Sequence, residues 1–144
     1  MKVGKFMSTK VITVSTDTPL PEVWELLNKK HISGIPVIDE KRKLLGYVSK
    51  EDILLKMFPS AADLESLERD ADEDIDDALE KLKKLKVEKV MSRRVLFTRS
   101  DSSIMRALSR MMVRKVRQLP VLDDEDHLVG MISKADIFKQ LFRR

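Results

Sequence analysis

A glycine, two apolar residues, then serine, lysine and, three residues after the serine, aspartate occur twice in this 144-residue chain. They read Gly46-Tyr47-Val48-Ser49-Lys50-Glu51-Asp52 and Gly130-Met131-Ile132-Ser133-Lys134-Ala135-Asp136, 84 positions apart. At the start of a helix these types can do chemistry. The free N–H groups and positive dipole end suit a phosphate, which the serine hydroxyl and the lysine could also meet. The carboxylate can accept two hydrogen bonds from a ribose 2′,3′-diol. The same residues also make a purely structural pattern, since Ser-x-x-Asp before an apolar helix is a capping box and an acid in the first turn complements the helix dipole. The two readings are compatible, and the residues alone leave both open.

The rest of the composition narrows the chemistry. There is no cysteine, hence no disulfide framework and no thiolate metal site. Two histidines, His31 and His127, cannot build a three-histidine centre alone. Each is read as a surface or turn residue. No nucleophile–base pair, metal cluster or phosphate-cradling glycine loop stands out, so catalysis is the least favoured of three functional readings. No catalytic residue, metal site or required cofactor is expected.

The motif belongs to a longer repeat. A shift of 84 aligns residues 3–58 with 87–142 without a gap. Val3, Lys5, Met7, Ser8 and Val11 meet Val87, Lys89, Met91, Ser92 and Val95. Pro36-Val37 and Asp39 meet Pro120-Val121 and Asp123, and Phe58 meets Phe142. Within one copy, the β-branched run 11–14 reads as a strand. Thr18 and Pro19 read as N-cap and first residue of a helix that runs to about Lys30. Gly34 either ends that helix region or keeps the position small. Residues 35–38 and 44–49 read as strands around the charged turn 39–43, and 50–58 as a second helix. The second copy gives a strand over 95–98, a helix over 103–114, strands over 119–122 and 128–133, and a helix over 134–142.

The order β-α-β-β-α, the stretch Ser33-Gly34-Ile35-Pro36-Val37-Ile38-Asp39 and the G-φ-φ-S-x-x-D ending (φ apolar) resemble the CBS motif, and two copies resemble a CBS pair, or Bateman module. The resemblance implies an α+β fold of two motifs packed sheet to sheet in a pseudo-two-fold pair, with a helical insert between them. The parts would be motif 1 over 1–58, an acidic connector over 59–86 and motif 2 over 87–144. It also implies a regulatory module that binds AMP, ADP, ATP or S-adenosylmethionine in clefts between the motifs, relays occupancy to a partner protein, and forms a homodimer. In such pairs the base lies against the first strand and the entry to the second strand of one motif, and the ribose aspartate comes from the other. Carried over, cleft A combines Thr13, Ile32, Ser33, Gly34, Ile35 and Pro36 with Ser133, Lys134 and Asp136. Cleft B combines Phe97, Thr98, Val116, Arg117, Gln118 and Pro120 with Ser49, Lys50 and Asp52. Ser33-Gly34 is small enough for a flat base to approach the backbone, whereas its counterpart Arg117-Gln118 is bulky and polar. Cleft A is therefore the favoured adenosine site.

Charge is unevenly placed. Residues 63–80 hold ten acids and one base within a chain whose net charge is +4. From 64 to 85 a stripe of Leu64, Leu67, Ala71, Ile75, Ala78, Leu82 and Leu85 predicts one or two amphipathic helices. They would be a connector packed on the pair, a dimer contact or a docking surface. Residues 70–77 lack the glycine and spaced glutamate of a calcium loop. Arg106, Arg110 and Arg114 share one helix face, read as solvated or as facing phosphate or an acidic partner. The alternative function is a protein-interaction or nucleic-acid-binding module with vestigial clefts. Nucleic acid is the weaker form of it, for want of aromatic residues for base stacking. Trp24, Met105, Met111 and Met112 are expected in the core or an interface. No apolar run approaches a membrane span, so a soluble, cytoplasmic protein is expected.

Overall fold

The computed structural model describes residues 1–57 and 75–143. The order is mixed: α1 (Leu20–Lys29), β1 (Gly34–Ile38), β2 (Leu44–Ser49), α2 (Lys50–Leu55), α3 (Ile75–Lys83), β3 (Thr98–Arg99), α4 (Ile104–Arg114), β4 (Gln118–Leu122), β5 (Leu128–Ser133) and α5 (Lys134–Leu141). One-turn 3₁₀ helices at Val3–Lys5 and Val87–Lys89 open the two repeats. Leu64, Leu67 and Ala71 of the insert stripe, the first part of the excluded calcium loop, and Phe58 lie outside the described residues.

The chain divides into two compact units that cut through the repeats. One gathers Met1–Thr13, Ile38–Leu45 and the chain from Arg94 onward. In it β3 runs parallel to β4 (Thr98↔Val121, Arg99↔Leu122), and β4 runs antiparallel to β5 (Gln118↔Ser133 through Leu122↔Leu128). Val3, Phe6, Ile104, Ala107, Met111, Leu119, Val121, Ile132 and Ile137 form its core. The leading segment is held by Val3 and Gly4 N–H donating to the Ser102 and Ser100 carbonyls at 2.8 and 2.9 Å. The tip of the first hairpin joins the same unit, Leu128 N–H donating to the Arg42 carbonyl at 2.8 Å.

The other unit gathers Val14–Val37 and the described part of Gly46–Arg93. Its buried side chains include Leu20, Val23, Leu27, Ile35, Val37, Val48, Ile53 and Val87. Each is the counterpart, 84 positions earlier, of a buried residue of the first unit, except Val87, which is itself the counterpart of Val3. Burying the same positions twice is the physical content of the repeat, because each copy must remove one apolar face from water.

Several expectations need correcting. The expected strands at 11–14 and 95–98 reduce to a single parallel bridge, Val14↔Val37, and to the two residues of β3. Val14 N–H donates to the Pro36 carbonyl. A longer parallel ladder would need the N–H of Pro36 and of Pro120, which proline lacks. Thr18 does not cap α1: Pro19 holds the N-cap position, and the Thr18 hydroxyl accepts from Ser15 N–H instead. Gly34 does not end the helix region through a left-handed backbone, since no glycine has positive φ. His31 (φ 54°) and its counterpart Lys115 (φ 57°) take that conformation. Of the methionines expected in the core or an interface, Met111 is buried, whereas Met105 and Met112 are exposed and so lie outside the core.

The repeated glycine of the motif has a steric cause. A Cβ on Gly46 would stand 2.8 Å from the Ser92 carbonyl oxygen and 2.7 Å from the Met91 sulfur. On Gly130 it would stand 2.8 Å from the Ser8 carbonyl oxygen and 2.7 Å from the Met7 sulfur. Tyr47 and Ser92 exchange backbone hydrogen bonds at 2.9 and 2.8 Å, as do Met131 and Ser8. The leading segment of each repeat thus pairs with the last strand of the other. We expect Gly46→Ala and Gly130→Ala each to lower stability by about 1–3 kcal/mol through overpacking, measured by urea unfolding.

The hairpin turns repeat as well. Asp39 Oδ1 accepts from Lys41 and Lys43 N–H, and Asp123 Oδ1 accepts from Glu125 and His127 N–H. The His127 N–H holds the Asp123 carboxyl below its ordinary range, helped by Glu125 N–H and by the His127 ring at 3.2 Å. A carboxyl lowered on folding stabilises above its unfolded pKa and loses that contribution as pH falls through its folded value. Asp123→Asn should therefore flatten the stability loss seen on acidification below about pH 5, read as melting temperature against pH.

Candidate functional site

Both Ser-Lys-x-Asp motifs sit where a strand passes directly into a helix. Ser49 and Ser133 have extended backbone (φ −115° and −120°) and are the N-caps of α2 and α5. Asp52 N–H donates to Ser49 Oγ, and Asp136 N–H donates to Ser133 Oγ, both at 3.0 Å. Lys50 N–H donates to the Ser33 carbonyl at 3.0 Å, and Lys134 N–H to the Arg117 carbonyl at 3.2 Å. Two N–H groups of each first turn are thus already taken, which leaves less of the helix end for an anion than the sequence suggested.

The side chains of the two motifs differ. Ser49 N–H donates to Asp52 Oδ2 at 3.0 Å, closing a full capping box. The Lys50 ammonium lies 6.0 Å from the Trp24 ring centroid, a cation–π distance. In the second motif neither contact has a counterpart. Among the described residues the Asp136 carboxylate accepts no hydrogen bond and the Lys134 ammonium has neither ion pair nor ring partner. Leu108 occupies the position equivalent to Trp24. Asp136 and Lys134 are half-buried, so a ligand can reach them.

The remaining candidate residues divide between the units. With Ser49, Lys50 and Asp52, one unit holds Ile32, Ser33, Gly34, Ile35 and Pro36. Ser33 is exposed, while Gly34, Ile35 and Pro36 are buried. With Ser133, Lys134 and Asp136, the other holds Thr13, Phe97, Thr98, Val116, Arg117, Gln118 and Pro120. Thr98 and Pro120 are buried and Arg117 is exposed. The structure brings Ser33 against Lys50 and Arg117 against Lys134 through the backbone bonds above. Gly34 has a reason that the sequence did not reveal: a Cβ there would run into the Tyr47 ring. Gln118 replaces it where Met131 replaces Tyr47. The aspartate–serine asymmetry was equally hidden, because both motifs carry the same capping letters.

Among the described residues no group of three or more His, Asp or Glu could hold a metal ion, and no helix is long and apolar enough to cross a membrane. Because only Asp52 closes a capping box, Asp52→Ala should cost about 1 kcal/mol more in folding stability than Asp136→Ala, measured by thermal and urea unfolding of both variants.

Comparison with known proteins agrees with this architecture. The family model described as the CBS domain matches residues 3–58 and 87–143. An uncharacterised protein of Methanocaldococcus jannaschii is 34% identical, the match covering 95% of this chain and 89% of that one. A CBS domain-containing protein of Dictyostelium discoideum is 31% identical over 98% of this chain and 91% of its own length. The solved structure of CBSX2, a CBS-pair protein of Arabidopsis thaliana, in complex with AMP superposes with a TM-score of 0.75 at 26% identity, covering 99% of this chain and 96% of that one. With two matched segments that span most of its length, the chain belongs to the CBS-domain family and carries two CBS motifs of mixed α+β structure.

Proposed function

We propose that this chain is a regulatory module, without catalytic activity of its own, that binds an adenosine-type ligand and relays occupancy to a partner protein. The ligand class is AMP, ADP, ATP or S-adenosylmethionine. AMP is the first choice, because the CBS-pair structure at 26% identity holds AMP. The observation that carries the reading is the half-buried Asp136 carboxylate, which among the described residues accepts no hydrogen bond and stands near a Lys134 ammonium with no ion pair there, while Asp52 and Lys50 are engaged within their own unit. A carboxylate in this state can take both hydroxyls of a ribose, and the lysine can take the phosphate.

The proposed adenosine set is Thr13, Ile32, Ser33, Gly34, Ile35 and Pro36 for the base, with Ser133, Lys134 and Asp136 for ribose and phosphate. The second set, Phe97, Thr98, Val116, Arg117, Gln118 and Pro120 with Ser49, Lys50 and Asp52, is proposed to bind more weakly. To serve a ribose, Asp52 would have to give up its capping bond, and Arg117-Gln118 stands where the first set has Ser33-Gly34. A homodimer and residence in the cytoplasm belong to the same proposal. Binding that favours one arrangement of the module over another would supply the signal to the partner.

Calorimetric titration with AMP, ATP and S-adenosylmethionine tests the reading. Asp136→Ala should weaken binding by about ten- to a hundredfold, the loss of charge-assisted hydrogen bonds worth about 1.5–3 kcal/mol. Asp52→Ala should weaken it far less. The reverse ranking would assign the site to the second set. Absence of heat with all three ligands, alongside a salt-sensitive melting shift with duplex DNA or RNA, would replace the proposal with a nucleic-acid module.

A further inference from the structure

Gly34 is the small residue of the first base set, yet the space above it is taken. The hydroxyl end of the Tyr47 ring lies there, its oxygen 2.6 Å from where a Cβ on Gly34 would stand. A side chain at position 34 and the ring at position 47 therefore exclude each other. The ring belongs to the same compact unit as Ile32, Ser33, Gly34, Ile35 and Pro36. It stands on β2, the strand that pairs with β1.

Strand geometry fixes the face on which the ring stands. Successive side chains point to opposite faces. Gly46 and Val48 are buried, whereas Tyr47 and Ser49 are half-buried, so Tyr47 shares its face with the serine that caps α2. Its backbone is tied on both sides, to β1 on one and to Ser92 on the other, through hydrogen bonds of 2.9 and 2.8 Å. A ring carried by a strand held in this way is a preorganised surface. The second copy lacks it: Met131 stands for Tyr47 and Gln118 for Gly34. Phe97, the aromatic residue of the second set, already has the Arg99 guanidinium 5.3 Å from its ring centroid.

We propose that Tyr47 stacks on the base of the bound ligand. Glycine at position 34 makes room for the ring, and the ring, in place of the glycine backbone, meets the base. Every base has a π face, so an aromatic platform selects a planar heteroaromatic group without a hydrogen-bond code. This rests on the reading of residues 32–36 as the base set and deepens it: the ligand carries a planar ring system, and the tyrosine gives the first set its advantage over the second.

The test is calorimetry of the whole chain with AMP, ATP and S-adenosylmethionine, comparing wild type, Tyr47→Phe and Tyr47→Leu. The phenylalanine variant keeps the ring and should bind about as tightly as wild type. The leucine variant should lose roughly five- to a hundredfold, the scale of base stacking lost on truncation. Both variants lack the hydroxyl and keep an apolar side chain, so a role limited to covering the glycine would leave them equal. Melting curves set a titration temperature at which both are folded. The chain holds one tyrosine, so its ring protons can be followed singly by NMR, and a stacked adenine should move them upfield as ligand is added. Equal affinity of the two variants overturns the proposal, as do tyrosine resonances that stay in place at saturation. Tighter binding by Tyr47→Leu also overturns it, because the ring would then be a plug in the base position. In each of these cases wild type still binds and only the role of Tyr47 falls. A wild-type chain that binds none of the three ligands overturns the base set and the stacking together.

Discussion

The structure turns on the close approach of each repeat's leading segment to the last strand of the other repeat. The Ser92 and Ser8 carbonyls lie 2.8 Å from where a side chain on Gly46 and Gly130 would begin. Only a residue without Cβ lets the backbones pair at that distance, and the paired strand leads three residues later to the serine that caps α2 or α5. The glycine, the strand and the helix start are therefore one device. A shift of the leading segment would move the strand end that presents Ser49 or Ser133, and with it the aspartate. The compact units cut across the repeats for the same reason, since the segment that opens one repeat is hydrogen-bonded to the hairpin of the other.

On this shared frame the two helix starts have diverged. In the first, the tryptophan at position 24 gives Lys50 a ring to lie on, and Asp52 turns back onto its own N-cap. In the second, leucine replaces the tryptophan, and among the described residues the Lys134 ammonium and the Asp136 carboxylate have no partner. A carboxylate satisfied within its own turn must break that bond before it can serve a ligand, whereas an uncommitted one need not. The shared Ser, Lys and Asp are thus chemically unequal in the two copies, and for the lysines the ring at position 24 is the difference. The divergence continues on the helix pairs, where the first shares an apolar cavity with the insert helix and the second carries an arginine row on one side of α4 and exposed methionines on another.

Much of this was legible in the residues. Apolar positions at helical and alternating spacing placed α1, α4, α5 and the strands β1, β2, β4 and β5 to within one or two residues, because burial of one face dictates that periodicity. The first strands were overread: a β-branched run signals extended backbone, but a ladder also needs donors, and Pro36 and Pro120 have none to give. The helix stop was placed on Gly34 because glycine is the usual left-handed residue. His31 and Lys115 show that other side chains adopt that backbone where the surrounding packing holds it.

The linear order of residues determined by itself that there are two copies of one unit, that each carries a capped helix bearing an aspartate, and that an acid-rich segment separates them. These follow from local spacing and from gapless self-similarity, which need no knowledge of distant neighbours. Tertiary structure alone decided which leading segment pairs with which hairpin, what stands against Gly34, Gly46 and Gly130, and in which of the two motifs the carboxylate and ammonium have no partner among the described residues. Each of these depends on atoms far apart in the chain meeting within a few ångströms, and the identity of a residue does not encode what will be brought against it.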